Sequence, residues 1–276
     1  MYSPLNISNV RWLLLVSCIW LIGACGGGGG SGSEQSASGG DACGALNLKV
    51  INGDSCSFGS NSPVALLITP VSGSVVQVCT GTLITPTKIL TAAHCFESGG
   101  VTQVTVGGQT MTLASRRSSP QYNGSAGSPF DIAIGTLPRA VTSAVAVPII
   151  TSSYPPSGSE LTVYGFGATE KGDNIFTRNN LLNAAGIEVV SANDGGILSL
   201  YRLTNTSICI GDSGGPALYN PGSGIGITGV SSAVTASSAS VDPTCKEDGT
   251  ESIFASVKRA ENLAFIRANA AGVVER

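Results

Sequence analysis

Cys209-Ile210-Gly211-Asp212-Ser213-Gly214-Gly215-Pro216 sets a single serine among glycines. Residues without a Cβ let the backbone turn sharply and come close to another molecule, as an exposed nucleophile requires. A serine hydroxyl is a weak nucleophile near neutral pH until a base takes its proton, and imidazole suits that task. The chain contains one histidine, His94, in Thr91-Ala92-Ala93-His94-Cys95. If Ser213 is the nucleophile, His94 is its base.

Chain order then separates the classes of serine hydrolase. The G-x-S-x-G pattern around Ser213 also occurs at the nucleophile elbow of α/β-hydrolases, but their order is Ser, acid, His, and no histidine follows Ser213 here. The subtilisin order Asp, His, Ser needs an acid before His94, such as Asp41 or Asp54. The order His, Asp, Ser needs one between His94 and Ser213, where Asp131, Asp173 and Asp194 are available. Asp131 fits best, because Pro129-Phe130-Asp131-Ile132-Ala133-Ile134 places it at the head of an apolar strand. A carboxylate buried there needs a hydrogen-bonding partner such as an imidazole N–H. Asp173, beside Lys171 and Gly172, and Asp194, before Gly195-Gly196, read as solvated turns.

Composition agrees with an all-β enzyme. The 276 residues are 11% charged with 37 glycines, which argues against a helical bundle or a disordered regulator. Runs rich in Val, Ile and Thr predict strands at residues 64–69, 75–79, 88–91, 101–106, 132–137, 161–164, 187–190, 198–203, 225–230 and 253–257. Residues 259–271 predict the one helix, with Ala260, Leu263, Ile266 and Ala270 along its apolar face. A net charge of -3 leaves no basic surface for nucleic acid.

The N-terminal region reads as a targeting segment and a tether. An apolar run over residues 12–24 has the length of a secretory signal. Ile22-Gly23-Ala24-Cys25 resembles a bacterial lipobox, which implies cleavage after residue 24 and lipidation of Cys25. Gly26 after that cysteine, where a retained lipoprotein has Asp, implies the outer membrane; the alternative is an ordinary signal and a secreted product. The Gly/Ser-rich stretch that follows has nothing to bury and, to residue 49, reaches roughly 25–30 Å as a flexible coil. Cys18 and Cys25 set aside, six cysteines remain, at 43, 56, 79, 95, 209 and 245. In an exported chain disulfides are expected before metal binding, and six cysteines allow about fifteen pairings.

Several separated motifs together resemble the chymotrypsin-like (trypsin fold) serine proteases. Thr91-Ala92-Ala93-His94-Cys95, Asp131-Ile132-Ala133-Ile134 and Gly211-Asp212-Ser213-Gly214-Gly215-Pro216 are similar to that family's histidine, aspartate and serine motifs. Cys79-Thr80-Gly81-Thr82-Leu83-Ile84 resembles the strand before the histidine, and Val163-Tyr164-Gly165-Phe166-Gly167 the mid-chain glycine-aromatic-glycine turn. The resemblance covers residue 50 to the C-terminus. It implies two six-stranded antiparallel β-barrels and a C-terminal α-helix, no cofactor or metal, a monomer, and a protein or peptide substrate. Residues 1–24 are then the lipoprotein signal, 25–49 the tether and propeptide, and 50–276 the protease domain.

The resemblance also implies residue roles. His94, Asp131 and Ser213 form the catalytic triad, and the amides of Gly211 and Ser213 the oxyanion hole. Cys79 pairs with Cys95 and Cys209 with Cys245, leaving Cys43 for Cys56. Lys49-Val50-Ile51-Asn52-Gly53 resembles an activation junction, where an activating protease cutting after Lys49 frees the Val50 amine to pair with Asp212. If Cys43 bonds Cys56, the cut chain stays joined to its lipid anchor. Ser207 falls where trypsin-like enzymes carry the aspartate that attracts Lys or Arg, while Ala233 and Ser252 fall near the pocket walls. A narrowed, neutral slot implies preference for a small or medium apolar residue before the scissile bond. The alternative is a catalytically silent binding or adhesion module on the same fold.

Overall fold

The computed structural model describes residues 50–51, 55–56, 58–73, 75–168, 181–200, 203, 206–235 and 250–276. The proposed signal, lipobox and tether, with Lys49, Cys43 and Cys245, lie outside the described residues. Fifteen strands are described in chain order: β1 Val50–Ile51, β2 Ser55–Cys56, β3 Val64–Ser72, β4 Val75–Thr85, β5 Lys88–Thr91, β6 Gln103–Val106, β7 Gln109–Thr112, β8 Ser115–Ser118, β9 Ala133–Thr136, β10 Glu160–Gly165, β11 Leu182–Asn193, β12 Gly196–Leu200, β13 Pro216–Tyr219, β14 Gly226–Thr235 and β15 Glu251–Ser256. A 3-10 turn, Ala93–Phe96, follows β5, and helix α1, Ala260–Asn269, follows β15. Among the described residues no helix is long and apolar enough to cross a membrane.

All the paired strands are antiparallel and fall into two sheets. The first runs β7-β6-β3-β4-β5-β9-β8. Its two edge strands are consecutive in sequence, so the chain crosses from one edge to the other at Leu113-Ala114 and the seven-stranded sheet curls without closing its ladder. The second is closed: β11, β10, β13, β14, β15 and β12 form a ring of six, sealed by the β11–β12 pairing, with β1-β2 added outside β11. The all-β trypsin fold expected from the sequence is thus present, as one closed barrel, one curled half-barrel and a terminal helix.

Burial explains why some strands were easier to read than others. From Val78 to Thr85 every residue of β4 is buried, polar threonines included, because one face looks into the first core and the other meets the second sheet. β8 is Ser-Arg-Arg-Ser, an edge strand with a polar surface and no apolar pattern, and its ladder with β9 alone defines it. In α1 the buried residues are Asn262, Phe265 and Ile266, followed by Ala270 just beyond the helix; Ala260 is exposed and Leu263 half-buried. The apolar spacing missed this because the buried polar residue does structural work. Asn262 Nδ2 donates to the carbonyls of Pro129 and Ser256, both at 2.8 Å, and so ties the loop before Asp131 to the end of β15.

Candidate active site

Strand pairing brings the histidine and aspartate together. β5 and β9 are antiparallel with Thr91 opposite Ala133, so the segment leaving β5 and the segment entering β9 emerge at the same end of the sheet. His94 lies in the 3-10 turn after β5 and Asp131 just before β9. Asp131 is fully buried. Its Oδ1 accepts the His94 backbone N–H at 2.9 Å, and its Oδ2 lies 2.7 Å from His94 Nδ1. An ionised carboxylate only accepts, so this contact places the proton on Nδ1 and leaves Nε2 with its lone pair outward.

A third group completes the carboxylate's shell. The Ser232 hydroxyl, on β14 of the closed barrel, is 2.5 Å from Asp131 Oδ2. Ser232 Oγ already accepts the Gly127 N–H at 2.8 Å, so its own proton is directed to Asp131. Sequence reading missed Ser232; its signal was a hydroxyl two residues beyond the strand segment predicted at 225–230. Each hydrogen bond to a buried charge offsets part of a desolvation cost that would otherwise expel the ion.

Ser213 is held against the same structure through its backbone. Its carbonyl accepts the Thr80 N–H of β4 at 2.8 Å, and the Cys95 sulfur lies 3.7 Å from that oxygen. Cys95 is bonded to Cys79, as expected, so the serine loop rests on the disulfide beside His94. Cys56 and Cys209 are also disulfide-bonded, with partners outside the described residues. Gly214 shows how tight the seating is: φ is +83°, and a Cβ there would stand 2.1 Å from Thr91 Oγ1 and 2.9 Å from Ala92 N. Among the described residues the Ser213 hydroxyl has no hydrogen bond to the imidazole; the backbone alone brings the serine to the histidine turn.

The loop's amides divide into those spent on structure and those left over. The N–H groups of Asp212, Gly214 and Gly215 donate to Cys209 O, Ser231 O and Asp212 O at 3.0, 2.7 and 2.9 Å. No acceptor among the described residues takes the N–H of Gly211 or Ser213. Each is aimed by the carbonyl of its own trans peptide, which points the opposite way. Ala168 N–H holds Ile210 O at 2.9 Å and Gly215 N–H holds Asp212 O at 2.9 Å. Two donors left over beside a serine are of the kind that can receive an oxygen gaining negative charge.

Asp212 sits on the glycine-aromatic-glycine turn. Its Oδ1 accepts Gly167 N–H at 2.8 Å and its Oδ2 accepts Cys209 N–H at 2.9 Å. A Cβ on Gly165 or Gly167 would fall 1.9 or 2.5 Å from Asp212 Oδ1, so these glycines make the space. Burial raises the carboxyl to about 6, against the lowering effect of the Cys209 and Gly167 amides. No basic side chain pairs with it among the described residues. Val50 is in β1, in register with Cys56 of β2, so the uncut chain holds it in a hairpin against β11.

Of the pocket candidates, Ser252 is buried and its Oγ accepts the Ile208 N–H at 3.2 Å, beside Ser207. The cross-strand partner of Ser252 is Val234; Ala233 pairs with Ile253, after a bulge between Ser231 and Ala233. A Cβ added to Gly127 would touch Ala233 Cβ at 3.5 Å, so Ala233 faces the loop before Asp131.

The trypsin family model matches residues 50–261. This chain belongs to the trypsin family. It is 28% identical to a putative peptidase of Corynebacterium glutamicum over 143 residues, 51% of this chain and 50% of that protein. It is 31% identical to brachyurin of Leptuca pugilator over 165 residues, 51% of this chain and 71% of that protein. The match spans about half the length of the Corynebacterium relatives. The matched region of the family model contains the His94, Asp131 and Ser213 motifs and both β-sheets.

Proposed function

We propose that this trypsin-family member is a serine endopeptidase that works through an acyl-enzyme. The observation that carries the reading is the Ser232–Asp131–His94 hydrogen-bonded chain, with Ser213 seated beside it and two unspent amides aimed from its loop. His94 Nε2 takes the Ser213 proton as Oγ attacks the carbonyl carbon, and later gives it to the leaving amine. Asp131 fixes the tautomer and stabilises the imidazolium. The Gly211 and Ser213 amides receive the oxyanion, each worth about 3–4 kcal/mol in the transition state.

Activation follows from Asp212. A carboxyl held by two amides, with no countercharge among the described residues, is prepared for a cation, and cleavage after Lys49 supplies one at Val50. With neutral Ser207 and Ser252 at the specificity site, a small or medium apolar residue is favoured before the scissile bond. Such an enzyme does not cut after its own Lys49, so a separate protease activates it. The Cys25 lipid and the tether hold the domain at the bacterial envelope. The test is a peptide-library profile of protein cut after Lys49, with the uncut form beside it. Cleavage after small apolar residues by the cut form alone is expected; equal turnover by both forms refutes the activation step, and cleavage after Lys or Arg refutes the pocket assignment.

A further inference from the structure

We propose that Thr80 is a positioning residue for the oxyanion-binding loop, its one hydroxyl joining that loop to the turn that aims it. Thr80 lies in β4 of the curled sheet and is fully buried. Thr80 Oγ1 accepts the Phe166 N–H at 3.2 Å. An N–H can only donate, so the hydroxyl proton is left for Gly211 O, 2.8 Å away. The two partners are 86 and 131 positions distant in sequence and belong to the closed-barrel half of the fold. The Thr80 N–H also donates to Ser213 O at 2.8 Å, and its carbonyl accepts from Thr91 Oγ1 at 2.7 Å. One residue of the first sheet therefore touches both loop residues whose amides stay unspent.

The hydroxyl does something that packing alone does not. Gly211 N–H is aimed by the Ala168–Ile210 hydrogen bond, and Ser213 N–H by the Gly215–Asp212 one. The Gly211–Asp212 peptide joins these two supports, and its carbonyl is the one that Thr80 holds. Phe166 heads the turn that carries Ala168, and Thr80 holds it as well. Valine has threonine's shape, so Thr80→Val keeps the packing while leaving a buried carbonyl and a buried N–H without partners. The intervening peptide then keeps only the Asp212 N–H bond to Cys209 O, 3.0 Å, and with its carbonyl released it can tilt about that bond, so that the two amides lose their common aim.

This inference rests on the peptidase reading, and its test separates the two. Wild type, Thr80→Val and Thr80→Ser, all cut after Lys49, are compared in kcat and KM on a peptide ester. Affinity for a peptide aldehyde, whose hemiacetal oxygen occupies the oxyanion position, and amide hydrogen exchange over residues 163–168 and 208–215 are measured alongside. Expected for Thr80→Val is a kcat lower by roughly 10–100-fold with KM within about twofold. Aldehyde affinity falls in the same proportion, exchange is faster in both segments, and Thr80→Ser returns each quantity towards wild type. A Thr80→Val kcat close to wild type, or unchanged aldehyde affinity beside a raised KM, overturns the proposal. If Thr80→Val does not fold, Thr80→Ser decides: the hydroxyl is kept, so a kcat below a tenth of wild type overturns it. Wild type without turnover or aldehyde binding refutes the peptidase reading and the oxyanion-positioning role of Thr80 with it; exchange then still decides whether the hydroxyl joins loop and turn.

Discussion

Cutting the chain after Lys49 should change its stability in a pH-dependent way, because the group proposed to answer the cut is Asp212. In the uncut chain burial raises this carboxyl to about 6 from an ordinary 3.8. A folded-state pKa above the unfolded one means that the folded form holds the proton more tightly. Asp212 therefore favours folding fully below pH 3.8, and that contribution is lost as pH rises through about 6. The difference corresponds to ~3 kcal/mol. When the Val50 ammonium arrives, opposite charge favours the carboxylate and the loss is reversed. For a domain of this size ~3 kcal/mol moves Tm by roughly 6–12 °C. Thermal unfolding of cut and uncut protein should give nearly equal Tm near pH 3.5, with the cut form higher by that amount at pH 7.5. Asp212→Asn should remove the difference. A Tm gap independent of pH, or a cut form that is less stable at pH 7.5, would refute the reasoning.

Two further substitutions probe the geometry around the serine. Ser232→Ala removes a donor from the Asp131 carboxylate and the acceptor of the Gly127 N–H, so urea unfolding should show a loss of ~1–3 kcal/mol, and an unchanged midpoint would contradict the bridge. Gly214→Ala forces a Cβ to 2.1 Å from Thr91 Oγ1 at a φ of +83°, so urea unfolding should show a loss of ~2–5 kcal/mol; a midpoint matching wild type would contradict the seating of the loop.

The candidate catalytic residues were legible because they lie in short local patterns. His94 stands alone of its kind, Asp131 heads an apolar strand, and Ser213 sits among glycines, so chain order could connect them before any distance was known. The strands with apolar runs, β3, β5 and β10 among them, were legible for the same reason. What escaped was decided by distant partners. Ser232 and Thr80 are a serine in Ser-Ser and a threonine in an apolar strand until β14 and β4 bring their hydroxyls to Asp131 and Gly211. β8 is polar along its length and exists through its pairing with β9. Pro216 reads as the end of the serine motif, yet it opens β13, where a proline costs least because it is the first residue of the strand. Asn262 was masked by apolar neighbours at helical spacing, although its side chain anchors the loop that carries Asp131.

In the proposed mechanism Ser213 is the nucleophile. Incubating the protein cut after Lys49 with a fluorophosphonate, then mapping the adduct by peptide mass spectrometry, tests it most directly. One phosphonylated residue, Ser213, is expected, with loss of the adduct and of peptide turnover together in Ser213→Ala. An adduct elsewhere, or peptide turnover retained by Ser213→Ala, would contradict it.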